Sequence, residues 1–169
     1  MKAITVRQPW GWAIMHAGKD VENRSRNIAG AYRGPVVIHA GLAKFEQDNM
    51  ASREHSRLHG GETSTGIVFG AALGTADLVD VHTVEDCWHR EFVRLASLYR
   101  NDRAAYDALP DSGAGGAIGK ARPCSPWVMD EDYHLMLANP RPFPKPIPYR
   151  GALGLWRFPD HLLPEGWSL

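Results

Sequence analysis

Cysteine is nearly absent from this chain: there are two, Cys87 and Cys124, in 169 residues. Two cysteines 37 positions apart are not a disulfide framework. Long apolar runs are missing as well. The longest near-apolar stretch, Gly66 to Val79, is broken by Thr75 and Asp77. It falls short of the roughly 18–20 residues that a spanning helix needs. The amino terminus reaches Arg7 after a few apolar residues, too early for a signal-peptide core. These absences lead to the expectation of a soluble, cytoplasmic protein with reduced thiols and no membrane partner. Net charge is missing too, because 19 Lys+Arg balance 19 Asp+Glu. That excludes a uniformly basic coat for nucleic acid, but not a locally basic face.

What is present is an ordinary globular composition, 44% hydrophobic and 22% charged, so wholesale disorder is excluded. The length suits a single domain over residues 1–169 with a core that needs no metal or disulfide staple. Lys2 to Val6 alternates and reads as a strand. Pro9 suits the first turn of a helix, on which Trp10, Ala13, Ile14 and Ala17 share one face until Gly18 stops it. Asp20 to Arg24 is expected to be extended, which puts Glu22 and Arg24 on the same side. Pro35 to His39 reads as a strand, and Leu42 to Leu58 as a surface helix ended by Gly60-Gly61.

Gly66 to Val81 is expected to be a long bent strand, with Gly70 and Gly74 at its bends. Thr83-Val84-Glu85-Asp86 has the form of a capping box, and Trp88, Phe92, Leu95 and Tyr99 follow at helical spacing. Asp111 to Pro123, rich in Gly and Ala, reads as a mobile surface loop. Alternate prolines from Pro140 to Pro148 demand an extended chain, and Ala152 to Phe158 is a last strand. No repeat and no linker separates two cores. The fold class is therefore α+β, with strands at both ends and helices between them.

Several tempting motifs fail. Gly113 to Lys120 resembles a phosphate loop, but Ala114 stands where the first glycine belongs and Ala121 where the hydroxyl belongs. His82, Cys87, His89, Cys124 and His134 have metal-capable side chains, yet no pair has the close Cys–Cys or His–His spacing of a structural zinc site. The sequence therefore gives no metal site and no cofactor. There is no Gly-x-Ser-x-Gly elbow for an acyl-transfer nucleophile. The alternating prolines fit either a stiff segment packed on the protein's own sheet or a docking segment for an SH3-like partner.

Two regions concentrate unusual chemistry. One is Arg7-Gln8-Pro9-Trp10 followed by Gly18-Lys19-Asp20-Val21-Glu22-Asn23-Arg24. The other holds Trp127, Tyr133-His134 and the run from Pro146 through Arg150 to Trp156. With Tyr32 to Ala40 and the run from Gly66 to Val84, these phrases resemble the ASCH domain family of the PUA-like superfamily, in order along nearly the whole chain. Residues from about 85 to 123 match nothing in that pattern and read as a helical and loop insertion. The resemblance implies a small, strongly curved β-barrel flanked by helices, with a cleft that receives RNA or a nucleotide. Some relatives deacetylate a modified cytidine. In those the lysine is followed three positions later by a threonine, where this chain has Glu22.

Two readings follow. In the first, a PUA-like barrel binds RNA, single-stranded nucleic acid or a nucleotide-sized ligand. Arg7, Arg24, Arg33 and Arg150 would contact phosphates, Lys19 would face the ligand, Gln8 and Glu22 would read or polarise a base, and Trp10, Trp127 or Tyr133 would stack on it. In the second, a small hydrolase acts on a modified nucleoside or on RNA, with Lys19 and Glu22 as the catalytic acid–base pair. Each residue also has a structural alternative. Lys19, Glu22 and Arg24 would form an ion-pair network, Gln8 would cap the helix, and Trp10, Trp156 and His39 would belong to the core. A third reading is a protein-interaction domain that docks through Pro140–Pro148. Charge favours a basic working face, since residues 1–35 carry six basic and two acidic groups, or +4, whereas residues 77–119 carry four and eight, or −4.

Overall fold

The computed structural model describes residues 1–43, 52, 53, 57, 66–129 and 133–167. The helix expected over Leu42–Leu58 falls mainly outside them. Among the described residues are six strands: β1 (Lys2–Val6), β2 (Val21–Arg24), β3 (Gly34–Ala40), β4 (Ala71–Thr83), β5 (Tyr133–Pro148) and β6 (Leu155–Arg157). The helices are α1 (Trp10–His16), α2 (Val84–Asn101), α3 (Arg103–Asp107) and α4 (Gly116–Lys120), and a 3₁₀ turn spans Asp160–Leu162. None of these helices is long and apolar enough to cross a membrane.

The strands form one mixed sheet in the order β2-β5-β4-β3-β1-β6, curled into a half-barrel. Only β1 and β3 run parallel, Lys2 opposite Val36 through Val6 opposite Ala40. The other pairs are antiparallel. As expected, β4 is long and bent. Its pairing with β5 shifts register between Ala72 and Gly74, Thr75 and Asp77, and Leu78 and Asp80. Bulges of this kind raise the local twist and let a sheet close on itself.

The alternating prolines belong to β5 and pair with β4, Pro142 opposite Gly74 and Pro148 opposite Ala71. Period-2 alternation puts the missing N–H groups on one side of the strand. β2 covers only Tyr133–Met136 of β5, so the proline stretch has an open edge where no donor is needed.

α1 packs against one face of the sheet. Trp10, Trp12, Ile14, Val6, Ile38, Leu78 and Leu135 join one core there. A second cluster on the other face joins Met1, Val37, Ala72, Phe143 and Phe158. The capping box forms as the sequence predicts: Thr83 Oγ1 accepts from the Asp86 amide at 3.0 Å, and the Thr83 amide donates to Asp86 Oδ2 at 3.3 Å. α2, α3 and α4 then enclose a small core of their own around Leu95, Tyr106 and Ala121.

The Gly/Ala-rich segment is not wholly a loop, since α4 lies inside it. Lys120 Nζ donates to the Leu109 carbonyl at 2.9 Å, and Arg122 to those of Pro110 at 3.0 Å and Gly119 at 2.9 Å. Those long side chains tie the segment down. β6 is shorter than the expected strand because only Leu155–Arg157 find partners on β1.

Candidate functional site

Gly18, with φ of +68°, turns the chain out of α1, and the Lys19 amide returns to the Ala13 carbonyl at 3.1 Å. That left-handed turn is one glycine adopts freely, and it directs the next side chain inward. Lys19 is only 2% exposed. Its ammonium donates to the Val21 carbonyl, lies 3.8 Å from Glu22 Oε2, and sits 5.4 Å from the centre of the Trp10 ring. Glu22 is also buried, and its Oε1 accepts from Arg24 at 2.9 Å. The shared side expected of Glu22 and Arg24 is thus realised. Arg24 donates further to the Thr5 carbonyl at 2.6 Å, which joins β2 to β1. Its Nε is buried with no acceptor among the described residues.

These groups wall a cleft of about 340 Å³. Arg7, Trp10, Lys19, Glu22 and Arg24 line it, together with Thr5, Asn23, Ser25 and Met129, which sequence reasoning did not single out. Met129 comes from the loop before β5. Asn23 holds that loop with both ends of its amide, donating to the Trp127 carbonyl at 3.0 Å and accepting from the Met129 amide at 3.1 Å. An Asn on β2 facing a distant loop carries no local sequence signal.

Burial is the largest influence on Lys19 and pulls its pKa below the ordinary lysine value. Glu22 and Asp20 oppose the shift, and Arg24 adds to it. The unfolded chain therefore holds this proton to higher pH than the folded one. Stability rises with pH between the lowered folded value and the unfolded value of about 10.4. The contribution is complete above the unfolded value and is lost as pH falls through the folded one. Denaturant unfolding from neutral pH to about pH 10 should show this rise in the wild type and a flatter profile in Lys19→Met. An equal rise in both would contradict the assignment.

The other expected site residues lie elsewhere. Gln8 is 1% exposed and faces away from the cleft: its Oε1 accepts from the Trp12 amide at 3.0 Å and its Nε2 donates to the Val68 carbonyl at 2.7 Å. Both ends of the amide hold the start of α1, so the capping alternative describes it. Trp127 is buried behind Trp10, edge-on at 6.5 Å between ring centres. Tyr133 pairs with Arg24 at the start of β5 and packs against the core. Arg33 binds the carbonyls of Gly30 at 3.2 Å and Tyr32 at 2.7 Å and approaches Asp80 at 4.0 Å, outside the cleft lining. Arg150 lines a separate open hollow with Tyr149, Gly151 and Trp156.

Thr5 stands between that hollow and the cleft. Its Oγ1 donates to the Ala152 carbonyl at 2.9 Å and accepts from Trp156 Nε1 at 3.1 Å. Trp156 is half-buried rather than a core residue and stacks on Tyr149 with an interplanar angle of 5°. His39 is buried, with Nε2 2.8 Å from the Tyr149 carbonyl and Nδ1 without a hydrogen-bond partner among the described residues.

No family model and no curated protein matches the chain. Its chemistry therefore has to be argued from the residues themselves. Among the described residues, three cationic side chains, one carboxylate and an aromatic ring line the cleft. A buried lysine next to a carboxylate in a cleft is a recognised mark of a functional site.

The expectation of no metal site rested on spacing along the chain. The fold nevertheless collects His82, Cys87, Cys124 and His134, distant along the chain, with donor atoms all within 4.8 Å of one another. His89 is not among them.

Proposed function

We propose that the cleft binds RNA, single-stranded nucleic acid or a nucleotide-sized piece of it, in an ASCH-type domain of PUA-like architecture. The observation that supports this best is the pairing of Lys19 and Arg24 with the Glu22 carboxylate in a cleft that Arg7 also lines. The described lining carries more basic than acidic side chains, a balance that favours phosphates, which dominate nucleic-acid affinity. Trp10 supplies an aromatic wall of the kind on which an unpaired base stacks. The volume lies near the lower end of the roughly 300–1,000 Å³ of ligand pockets, which suits one nucleotide and not a duplex. Every lining residue except Met129 comes from residues 1–35, where the +4 charge lies.

Binding of a fluorescent single-stranded RNA should therefore weaken as salt rises. Two phosphate contacts give a slope of about −1.4 in log affinity against log salt, or roughly sevenfold between about 50 and 200 mM. Binding that is absent or indifferent to salt would overturn the proposal.

The burial of Lys19 beside Glu22 favours a second reading. There the pair would serve as acid and base in hydrolysis of a modified nucleoside, such as an acetylated cytidine, or of RNA. Turnover of acylated cytidine or labelled RNA that disappears in Lys19→Ala supports this reading. Turnover that survives the change removes Lys19 from the mechanism, and no turnover on either substrate leaves the cleft as a binding site.

A further inference from the structure

The His82, Cys87, Cys124 and His134 cluster lies outside the cleft, at the junction of the insertion and the barrel. Each donor comes from a different element. His82 ends β4, Cys87 stands in the first turn of α2, Cys124 precedes the loop that walls the cleft, and His134 begins β5. His82 and His134 are direct cross-strand partners, with ring centres 5.3 Å apart. The capping box at Thr83–Asp86 starts α2 immediately after His82 and so swings Cys87 back over the two rings. Both cysteines are free thiols.

The second contacts fix which atoms face inward. His82 Nδ1 lies 2.9 Å from Asp80 Oδ2, and Asp80 also accepts from Arg90 at 2.6 Å. The other ring nitrogen, Nε2, is buried with no hydrogen-bond partner among the described residues, in a side chain only 4% exposed. This is the carboxylate–histidine arrangement that orients metal-binding imidazoles. His134 directs Nε2 toward the Met129 carbonyl at 3.4 Å and Nδ1 toward Cys124 Sγ at 3.6 Å. The Cys124 amide donates to Cys87 Sγ at 3.1 Å, a contact that suits a thiolate. A tetrahedral ion with Zn–S of about 2.3 Å and Zn–N of about 2.0–2.1 Å places neighbouring donors roughly 3.3–3.8 Å apart. The four donor atoms lie within 4.8 Å of one another, and Cys124 Sγ stands 3.6 Å from His134 Nδ1.

We propose that these four side chains bind one zinc ion as a closed tetrahedral site. Two sulfur and two imidazole donors in this geometry select zinc among common biological cations. Two thiolates neutralise the dication, and their two protons pass to solvent on binding. With four protein ligands no position is left for substrate, so the site is structural. It clips the start of α2 and the Cys124 segment to the β4–β5 ends. The next residues of that segment reach the cleft: Ser125 donates to Asp20, and Trp127 and Met129 bond Asn23.

The untagged full chain, purified under reducing conditions, should hold one zinc per chain. After chelation it should take up one Co²⁺, with the visible ligand-field bands of a tetrahedral site and a near-ultraviolet thiolate charge-transfer band. Asp80→Asn, which leaves all four donors in place, should weaken Co²⁺ binding roughly 10–100-fold. Cys124→Ser should remove part of the charge-transfer intensity. Hydrogen exchange over residues 121–129 should quicken on metal removal. Sub-stoichiometric metal, a weak octahedral cobalt spectrum, unchanged affinity in Cys124→Ser, or a Cys87–Cys124 disulfide in the reduced preparation would each overturn the proposal. The wild-type cobalt spectrum decides the matter even if a ligand variant fails to fold.

Discussion

Glu22→Ala should destabilise the protein by about 3–5 kcal/mol, the loss typical when one partner of a buried ion pair is removed. Glu22 is the only carboxylate among the described residues that line the cleft, and it serves both Lys19 at 3.8 Å and Arg24 at 2.9 Å. Without it, Lys19 would keep its carbonyl contact to Val21 but lose the nearest negative charge. Arg24 would still hold the Thr5 carbonyl at 2.6 Å, so the tie between β2 and β1 should survive. The destabilisation is therefore that of an uncompensated buried ammonium, not of a lost strand. For a domain of this size it lowers Tm by roughly 6–20 °C. Adding Lys19→Met to Glu22→Ala should recover much of the loss, because the orphaned charge is then gone. Urea unfolding of the two single variants and the double variant checks this. A Glu22→Ala loss below about 1 kcal/mol would mean the pair behaves as an exposed one.

Gly74→Ala should cost about 3 kcal/mol, the upper end of ordinary overpacking. A Cβ at Gly74 would run into the Arg141 carbonyl oxygen, and would lie 2.6 Å from Met15 Sδ and 2.8 Å from Pro142 Cα. Two of these three contacts are backbone and cannot step aside. The position is a register shift where β4 bends against β5, and Met15 belongs to α1, packed against the sheet. Relief requires the strands to part, which would disturb the pairing that also sets His82 opposite His134. Gly18→Ala meets no atom within 4 Å and carries only the strain of its positive φ, so it should be the milder change. Equal thermal stability of Gly74→Ala and the wild type would contradict the close approach.

Much of this was legible in the sequence where the determining interactions are local. The capping box at Thr83–Asp86 needs residues three apart, and it formed. The shared side of Glu22 and Arg24 follows from the period of a strand, and their side chains meet. The bend of β4 was signalled by Gly74. What escaped was non-local. Nothing in Lys2–Val6 or Gly34–Ala40 says that the two strands pair in parallel, since that depends on the whole path between them. Gln8 has a residue type suited to a base edge, but its amide is taken by Trp12 and Val68, the latter sixty positions away. Spacing rules for zinc look for donors close together in the chain. Here 37 residues separate the cysteines, and cross-strand pairing brings the histidines together.

The central claim is that the cationic cleft is the binding site. Its most direct test compares the affinity of a single-stranded RNA for the wild type, Lys19→Met and Arg7→Gln, each first shown to unfold cooperatively. Each variant should bind about tenfold more weakly or worse, with a salt slope smaller by about 0.7. Affinity and slope unchanged in both variants would contradict the account.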